Sequence, residues 1–394
     1  MVTVDGLGIG ALPDASCYGD EGSHTFDNTA RAVGGIGAAN LEALGLGNIE
    51  GVDALGRVGR PLGCYGRMAE ASRGKDTSTG HWEIAGVVTD RPPPTFPHGF
   101  PGEMMERFER ITGLGWLGNR PASGTEIIEE LGREHLATGR PIVYTSADSV
   151  FQVAAHVDVM APERLYELCR SVRPLADDYG VARVIARPFT GRPGSFTRLP
   201  IRKDFSMAPP RPTLLDAVKE AGLDVMAVGK IGDIFAHRGT SAEYPTKSDA
   251  EGIERTVEVM AAVERGLVFT NLVDLDTLYG HRNDPRGYAA ALEAVDAGLA
   301  EITSRLRGDD MLVVTADHGC DPTTPSTDHS REYVPLLVHG PALRRGVDLG
   351  TRESFADVAA TAAAALGVAP PDRGVSFLDE IVPPREIRTS VDTD

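Results

Sequence analysis

Six aspartate and histidine side chains stand just after apolar, strand-like segments or on the loops that follow them. They are Asp5, Asp276, His281, Asp317, His318 and His329. Because the carboxyl ends of parallel strands meet at one edge of a sheet, we expect these side chains to converge there. Mixed carboxylate and imidazole ligands suit Mn, Zn or Fe better than Ca. The set is larger than one ion needs, which predicts two divalent ions, an arrangement that can clamp both oxygens of a phosphoryl transfer.

Each of these segments also has a simpler interpretation. Asp5 or Asp276 alone could cap a helix, and His281 could be a surface residue. The run Asp317-His318-Gly319 follows a five-residue apolar strand and is more specific for a metal. Cys320, which follows this run, is expected to be a packed thiol rather than a soft ligand.

Residues 74–86 combine groups that could handle a phosphoryl group. Their sequence is Gly-Lys-Asp-Thr-Ser-Thr-Gly-His-Trp-Glu-Ile-Ala-Gly, with hydroxyls at Thr77, Ser78 and Thr79. The pattern predicts a loop that opens into a short helix, where Lys75 and the first N–H groups could bind an anion. The alternative is a polar turn with an aspartate or threonine cap. On the residues alone, the three hydroxyls are equally able to accept a phosphoryl group.

Composition narrows the class of protein. The formal net charge of −18 argues against a nucleic-acid or membrane-surface partner. An anionic substrate would then need metal ions or a local basic pocket. The four cysteines are scattered without paired spacing, which favours a reduced, cytoplasmic setting over a disulfide framework. The sequence has no long apolar run, so we expect a soluble protein.

Two proline-dense stretches, 91–101 and 187–213, indicate domain boundaries. We therefore predict a discontinuous core domain from residues 1–90 and 212–394, with residues 91–211 inserted into it. Simple surface loops are the alternative. The last part of the chain alternates strands with helices, as a mostly parallel sheet requires.

A local basic cluster lies inside the predicted insert. Arg183 and Arg187 are four residues apart on one predicted strand, hence on one face, and Arg192 and Arg198 follow. In so acidic a protein this cluster is a candidate phosphate contact. A solvated edge strand would explain it equally well.

Taken together, these segments resemble the phosphopentomutases of the alkaline phosphatase superfamily. The matching stretches are 5–10, 74–86, 144–149, 183–188, 228–230, 271–276, 280–282, 315–322 and 327–332. They run over nearly the whole length in the same order. The resemblance implies an α/β fold: an alkaline-phosphatase-like core with a mostly parallel sheet flanked by helices, plus an inserted smaller α/β cap domain.

The resemblance also implies roles for single residues. Thr77 would bear the phosphoryl group. Asp5, Asp317 and His318 would hold one metal ion, and Asp276, His281 and His329 the other. Two Mn²⁺ ions are the implied complement, with other divalent metals possible. The implied pentose-phosphate pocket comprises Ser146, Asp148, Arg183, Ile185, Arg198 and Lys230.

The implied activity is the interconversion of α-D-ribose 1-phosphate and D-ribose 5-phosphate, and of the 2-deoxyribose pair. It would run through a phosphothreonine and a sugar 1,5-bisphosphate, with a sugar bisphosphate as activator. An inserted lid would keep water from the phosphothreonine. The expected partners are small sugar phosphates, with no nucleic acid and no membrane, and the expected state is a monomer.

Two other functions are weighed against this one. A two-metal phosphatase or a phosphoglycerate mutase of the same superfamily is the nearest enzyme alternative. A metal-stabilised binding or regulatory protein without catalysis is the alternative from another class. The intact set of six ligands together with Thr77 argues against the latter.

Overall fold

The computed structural model of the protein describes residues 1–91, 93–146 and 149–384. The chain divides into two compact units. The first is formed by Met1–Arg91 with Pro209–Asp394, and the second by Pro92–Ala208. The second unit is therefore inserted into the first along the sequence.

The elements of both units follow in chain order. The first unit begins with β1 (Val2–Val4), α1 (Thr25–Val33), α2 (Ala39–Leu44), β2 (Cys64–Met68) and α3 (Thr77–Ile84). The second unit contains α4 (Gly102–Thr112), β3 (Leu117–Pro121), α5 (Gly124–Thr138), β4 (Ile142–Thr145), β5 (Val150–His156), α6 (Pro162–Asp178), β6 (Arg183–Thr190), β7 (Thr197–Arg198) and β8 (Lys203–Ser206). The first unit then continues with α7 (Leu214–Glu220), β9 (Asp224–Val228), α8 (Ile231–Ile234), β10 (Ala242–Tyr244), α9 (Asp249–Ala262), β11 (Gly266–Leu272), α10 (Pro285–Ser304), β12 (Leu312–Thr315), β13 (Val334–His339), β14 (Asp348–Arg352), α11 (Ala356–Leu366) and α12 (Leu378–Ile381).

The sheet of the first unit has the strand order β10-β9-β11-β1-β12-β13-β2-β14. All neighbouring pairs are parallel except the two that involve β13. The central strand β1 pairs with β11 on one side and β12 on the other, and Val2 is opposite both Thr270 and Val314. All residues of β1 and β12 are buried, as expected for a parallel sheet covered on both faces. The predicted mostly parallel sheet flanked by helices is confirmed.

The second unit is a smaller α/β domain with its own core. Its sheet has the order β3-β4-β5-β6-β7, with β8 also paired to β6. One apolar cluster joins α4 and α6 to the sheet through residues such as Phe108, Phe151 and Val172. Another joins α5 to the sheet through Ile128 and Tyr144. This sheet with helices on it agrees with the predicted smaller α/β domain.

None of the helices in the described part of the chain combines the length and the apolar character that a membrane crossing needs.

The start of α9 is tied to the segment after β11 by two aspartates. The Asp249 N–H donates to Asp274 Oδ2 (2.9 Å), and the Asp274 N–H donates to Asp249 Oδ1 (3.0 Å). Asp249 is buried, and its Oδ2 has no hydrogen-bond partner. Burial raises the pKa of Asp249 to about 6, although the hydrogen bond from the Asp274 N–H acts in the opposite direction.

This raised pKa predicts a pH-dependent stability change for Asp249→Asn. A carboxyl group whose pKa is higher in the folded state destabilises the fold once pH exceeds its unfolded value, because ionisation is penalised only in the folded protein. The neutral amide removes that penalty and keeps an acceptor for the Asp274 N–H. We expect Asp249→Asn to raise the free energy of unfolding by about 1–2 kcal/mol more at pH 7.5 than at pH 5, measured by urea denaturation. Asp224→Asn, at an exposed position on β9, is the control. An equal effect of Asp249→Asn at both pH values would contradict the prediction.

Candidate metal centre and active site

Three buried carboxylates meet where the central strands of the first unit end. Asp5 follows β1, Asp276 lies in a π-helical turn after β11, and Asp317 follows β12. These strands are neighbours in the sheet and run parallel, so their carboxyl ends lie side by side. Asp5, Asp276 and Asp317 are only 2%, 4% and 0% exposed. Three acidic groups in so little solvent require compensating positive charge.

Three histidines face these carboxylates through their Nε2 atoms. His318 Nε2 lies 3.3 Å from Asp5 Oδ1 and 3.2 Å from Asp317 Oδ2. The Nε2 atoms of His281 and His329 lie 3.2 and 3.4 Å from the Asp276 carboxylate oxygens.

Each of the three rings is oriented by a backbone carbonyl on its other side. The Nδ1 atoms of His281, His318 and His329 lie 2.7, 3.1 and 2.8 Å from the carbonyl oxygens of Thr327, Gly319 and Lys75. Because a carbonyl can only accept, Nδ1 carries the proton of the bond in each case. In metal sites, such a hydrogen bond on the far side of the ring orients the histidine and leaves the other nitrogen free to bind the ion.

The six side chains form two groups. Asp5, Asp317 and His318 make one, and Asp276, His281 and His329 make the other. Within each group the possible ligand atoms lie within 4.8 Å of one another. One oxygen of each carboxylate has no hydrogen-bond partner although it is buried: Asp5 Oδ1, Asp276 Oδ1 and Asp317 Oδ2. Buried, unpartnered oxygens beside imidazole nitrogens fit divalent cations of the Mn, Zn or Fe type.

The pKa shifts of these six side chains are consistent with the binding of divalent cations. Burial raises the pKa of Asp5 well above its usual range, and the charges of Asp317 and Asp276 raise it further. Burial lowers the pKa of His318 to about 4, so its ring is neutral near pH 7. A hydrogen bond with Asp276 raises the pKa of His281 to about 9. A cation at that group would take the place of the His281 proton.

Thr77 is the first residue of α3 and reaches the first group. Its Oγ1 lies 3.2 Å from His318 Nε2. The neighbouring Thr79 is buried, and its hydroxyl donates to Asp76 Oδ2. Thr77 and Thr79 therefore differ in their surroundings, although on the residues alone their hydroxyls were equally able to accept a phosphoryl group.

The predicted anion site at the start of this helix is wrong for the second and third N–H groups of α3. Asp76 caps α3, and its Oδ1 accepts hydrogen bonds from the N–H groups of Ser78 (3.1 Å) and Thr79 (3.2 Å). These donors are directed at a carboxylate of the chain itself. The capped turn, which the sequence offered as an alternative, is what the structure contains.

Lys75 is also engaged within the protein. Its Nζ lies 3.1 Å from Asp20 Oδ2 and 3.5 Å from Asp328 Oδ2. Its carbonyl oxygen contacts His329 Nδ1, as described above. Lys75 therefore holds the loop that carries His329, whereas the sequence suggested a direct phosphate contact.

The predicted pentose-phosphate pocket residues belong to both units. In the second unit, Ile185 is buried on β6, Arg183 lies on the same strand 3.9 Å from Asp204, and Arg198 is exposed on β7. Ser146 directly follows β4. Asp148 lies outside the described residues. In the first unit, Lys230 is exposed at the start of α8. Its positive charge lowers the pKa of Asp5, but burial raises that pKa by more.

Sequence reasoning assigned no role to three buried residues around the site. Asn271 donates to Asp5 Oδ2 (2.9 Å), and His81 lies between Asn271 and the Thr77 carbonyl. Glu83 lies on α3 and accepts hydrogen bonds from neighbouring segments. These residues lie inside the stretches 74–86 and 271–276, so their polar character in otherwise buried elements was the available signal.

Glu83 anchors α3 through four hydrogen bonds. It accepts from the N–H groups of Ala71 (2.9 Å), Ser72 (2.7 Å) and Phe355 (2.9 Å) and from the Ser354 hydroxyl (2.8 Å). Its side chain is fully buried. The helix that carries Thr77 is thereby fixed to the segments that precede α3 and α11.

We expect Glu83→Gln to lower the free energy of unfolding by about 2–3 kcal/mol, because the amide NH₂ must face at least one backbone N–H. Urea denaturation measures this loss. Glu50→Gln, whose carboxylate is 80% exposed beside Arg67, is the matched control and should change stability by less than about 0.5 kcal/mol. Equal effects of the two substitutions would disprove the anchoring role.

Comparison with known proteins gives a consistent result. The model of the Metalloenzyme superfamily matches residues 1–370. A phosphopentomutase of Anaeromyxobacter dehalogenans is 57% identical over 382 residues, with 97% of each chain covered. The phosphopentomutases of Caldanaerobacter subterraneus and Thermotoga petrophila are 54% and 55% identical, over 97% and 96% of this chain and 97% of each relative.

Solved structures show more distant likenesses. PH0037 from Pyrococcus horikoshii matches with a TM-score of 0.48 and 14% identity, covering 93% of this chain and 95% of that one. Phosphoglycerate mutase from Leishmania mexicana matches with a TM-score of 0.41 and 13% identity, covering 95% and 96%. The assignment to a family rests on the sequence relatives.

Proposed function

The chain belongs to the phosphopentomutase family and is an isomerase, and we propose that it interconverts ribose 1-phosphate and ribose 5-phosphate, and the 2-deoxy pair, by carrying a phosphoryl group on Thr77. The observation that supports this mechanism is the position of the Thr77 hydroxyl, 3.2 Å from Nε2 of His318 in the first ligand group. A hydroxyl at the start of a rigid, capped helix is held in one place for successive transfers.

Two divalent cations, Mn²⁺ in our proposal, would be held by the two groups of aspartate and histidine. The support is the set of buried, unpartnered carboxylate oxygens and the orientation of the three rings by backbone carbonyls. Bound cations supply positive charge that offsets the charge on a transferring phosphoryl group.

Thr77 would then act twice in each turnover. In the first transfer a sugar hydroxyl oxygen bonds to phosphorus as the bond from phosphorus to Thr77 Oγ1 breaks, and the proton from the sugar hydroxyl ends on Oγ1. The product is a sugar 1,5-bisphosphate. In the second transfer Oγ1 attacks the other phosphate, that sugar oxygen leaves and takes up the proton, and the phosphothreonine is restored. A sugar bisphosphate can load unmodified Thr77 in the same way and so act as activator.

We further propose that the two units are the catalytic core, residues 1–90 and 212–394, and a cap domain, residues 91–211. Ser146, Asp148, Arg183, Ile185 and Arg198 from the cap, with Lys230 from the core, are proposed to contact the sugar phosphate. Basic residues are concentrated between residues 183 and 203 of the second unit, and this local charge supports a phosphate contact there. A cytoplasmic location and a monomeric state complete the proposal.

The proposal is tested with purified, Mn²⁺-loaded protein incubated with ribose 5-phosphate and a small amount of sugar 1,5-bisphosphate. We expect ribose 1-phosphate to form, and peptide mass spectrometry to find one added phosphate on Thr77. A two-metal phosphatase would instead release inorganic phosphate steadily without forming ribose 1-phosphate. A binding protein without catalysis would do neither. Either of those results overturns the proposal.

A further inference from the structure

A continuous line of buried polar contacts runs from Asp5 to the peptide of Thr77. Asn271 Nδ2 donates to Asp5 Oδ2 (2.9 Å) and lies 3.2 Å from His81 Nε2. On the other side of the ring, His81 Nδ1 lies 2.9 Å from the Thr77 carbonyl oxygen. His81 and Asn271 are both fully buried. The line therefore joins the first ligand group to the residue proposed to carry the phosphoryl group.

When Asp5 is ionised, as a bound cation requires, donor and acceptor chemistry allows one arrangement of protons along this line. The Thr77 carbonyl can only accept, so His81 Nδ1 carries the proton of that bond. His81 Nε2 is then a lone pair, which accepts from the Asn271 amide. An amide turned over would set Asn271 Oδ1 against the Asp5 carboxylate, where two acceptors repel. The Asp5 carboxylate thus fixes the Asn271 amide, and the amide fixes the His81 ring.

His81 also touches the other carboxylate of the same group. Its Nδ1 lies 3.0 Å from Asp317 Oδ2, although its hydrogen bond goes to Thr77. The ring therefore contacts Asp317 directly, reaches Asp5 through Asn271, and is hydrogen-bonded to the first turn of α3.

We propose that His81 and Asn271 are positioning residues that couple the first ligand group to Thr77. The pair sets the orientation of Asp5 and Asp317 for a divalent cation and, in the same network, holds the Thr77 peptide. This inference rests on the proposed function for the role of Thr77, but its prediction for cation binding does not.

The first test measures Mn²⁺ affinity by electron paramagnetic resonance titration. All variants carry His281→Ala, which removes a ligand of the second group, so that one site is followed. Asn271→Leu and His81→Leu are each expected to weaken Mn²⁺ binding by roughly 10–100-fold, as loss of such supporting contacts does in other metal sites. Because the two residues form one line, the double variant should bind within about 3-fold of the weaker single variant.

The second test uses the chain with His281 intact. After incubation with a sugar 1,5-bisphosphate, both leucine variants should show a lower fraction of phosphorylated Thr77. Their kcat should fall by roughly 10–100-fold, with KM for ribose 5-phosphate changed by less than about 3-fold. His81→Asn keeps an N–H near the Nδ1 position and should lie between wild type and His81→Leu.

His339→Asn is the matched control. His339 Nδ1 also contacts a backbone carbonyl, Leu62 O, at 3.0 Å, but His339 pairs with the first residue of β12, at the opposite end from Asp317. This substitution should leave both readouts unchanged.

Two results would overturn the proposal. One is Mn²⁺ affinity in both leucine variants within about 3-fold of the His281→Ala protein that carries neither leucine, with only the melting temperature lowered, because that result indicates a purely structural role. The other is a double variant in which the fold-changes in Mn²⁺ affinity of the two single variants multiply. That result would mean that His81 and Asn271 act independently. If wild-type protein forms neither phosphothreonine nor ribose 1-phosphate, the proposed function fails, and the Mn²⁺ titrations still decide this inference.

Discussion

Thr77→Val is expected to reduce mutase activity by about 10⁴-fold or more, because it removes the atom that bonds to phosphorus in both transfers. Valine keeps the branched shape of threonine at the start of α3, so the fold should be retained. Activity is measured as ribose 1-phosphate formed from ribose 5-phosphate in Mn²⁺-loaded protein, and mass spectrometry should find no phosphate on the peptide that contains residues 77–79.

The neighbouring hydroxyls provide the controls for this experiment. Ser78→Ala should keep activity within about 10-fold of wild type, since its hydroxyl is not the proposed acceptor. Thr79→Val should also keep activity but lower stability by about 1–2 kcal/mol, because the buried hydroxyl donates to Asp76. If Thr77→Val stays active and one of the other two does not, the assignment of the phosphorylated residue is wrong.

Removing divalent cations should abolish activity and lower the melting temperature. Binding to the folded state stabilises it by about 2.7 kcal/mol when the free ion is 100 times its dissociation constant. Stripping with a chelator, followed by dialysis, should therefore lower the melting temperature by several degrees, and Mn²⁺ should restore both activity and stability. Calorimetry and the mutase assay measure the two effects. Full activity after verified removal of all divalent metal would contradict the proposed centre.

Asp5→Asn should have opposite effects on stability in the stripped and loaded protein. Without cations, Asp5 is a buried carboxylate near Asp317 and Asp276, and removing its charge relieves repulsion. The stripped variant should therefore melt a few degrees higher than stripped wild type. With Mn²⁺ present the variant has lost a ligand, so it should bind the ion more weakly and melt lower than loaded wild type. Asp379→Asn, at an exposed position on α12, is the control and should show neither effect. The same sign in both conditions would rule out Asp5 as a ligand.

Much of the site could be predicted because its candidate metal ligands lie just after the ends of strands. An apolar segment followed by aspartate or histidine marks both the strand and its polar end, and a parallel sheet brings such ends together. Local sequence thus predicted that Asp5, Asp276 and Asp317 would converge. The mostly parallel sheet followed from the alternation of strands and helices, and membership of the phosphopentomutases is confirmed by close relatives.

What local sequence could not decide was the partner of each polar group. Lys75 has the charge for a phosphate, but Asp20 and Asp328 neutralise it, and neither lies beside it in the sequence. The N–H groups of Ser78 and Thr79 could bind an anion, but both donate to Asp76. The contact between His81 and Asn271 joins residues 190 positions apart and depends on where α3 packs against β11. Such pairings are set by tertiary packing, which the local pattern does not contain.

The central position of β1 has a consequence for the order in which the protein can fold as it is synthesised. Its two partners, β11 and β12, are made more than 260 residues later, as the pairing of Val2 with Thr270 and Val314 requires. The second unit lies between β1 and β11 in the sequence and contains its own core, so it can fold before the partners of β1 have been synthesised. Contacts of such sequence separation form slowly. Asp5 and Thr77 therefore leave the ribosome long before their partners do, and the proposed cation centre is completed only when His329 has been added.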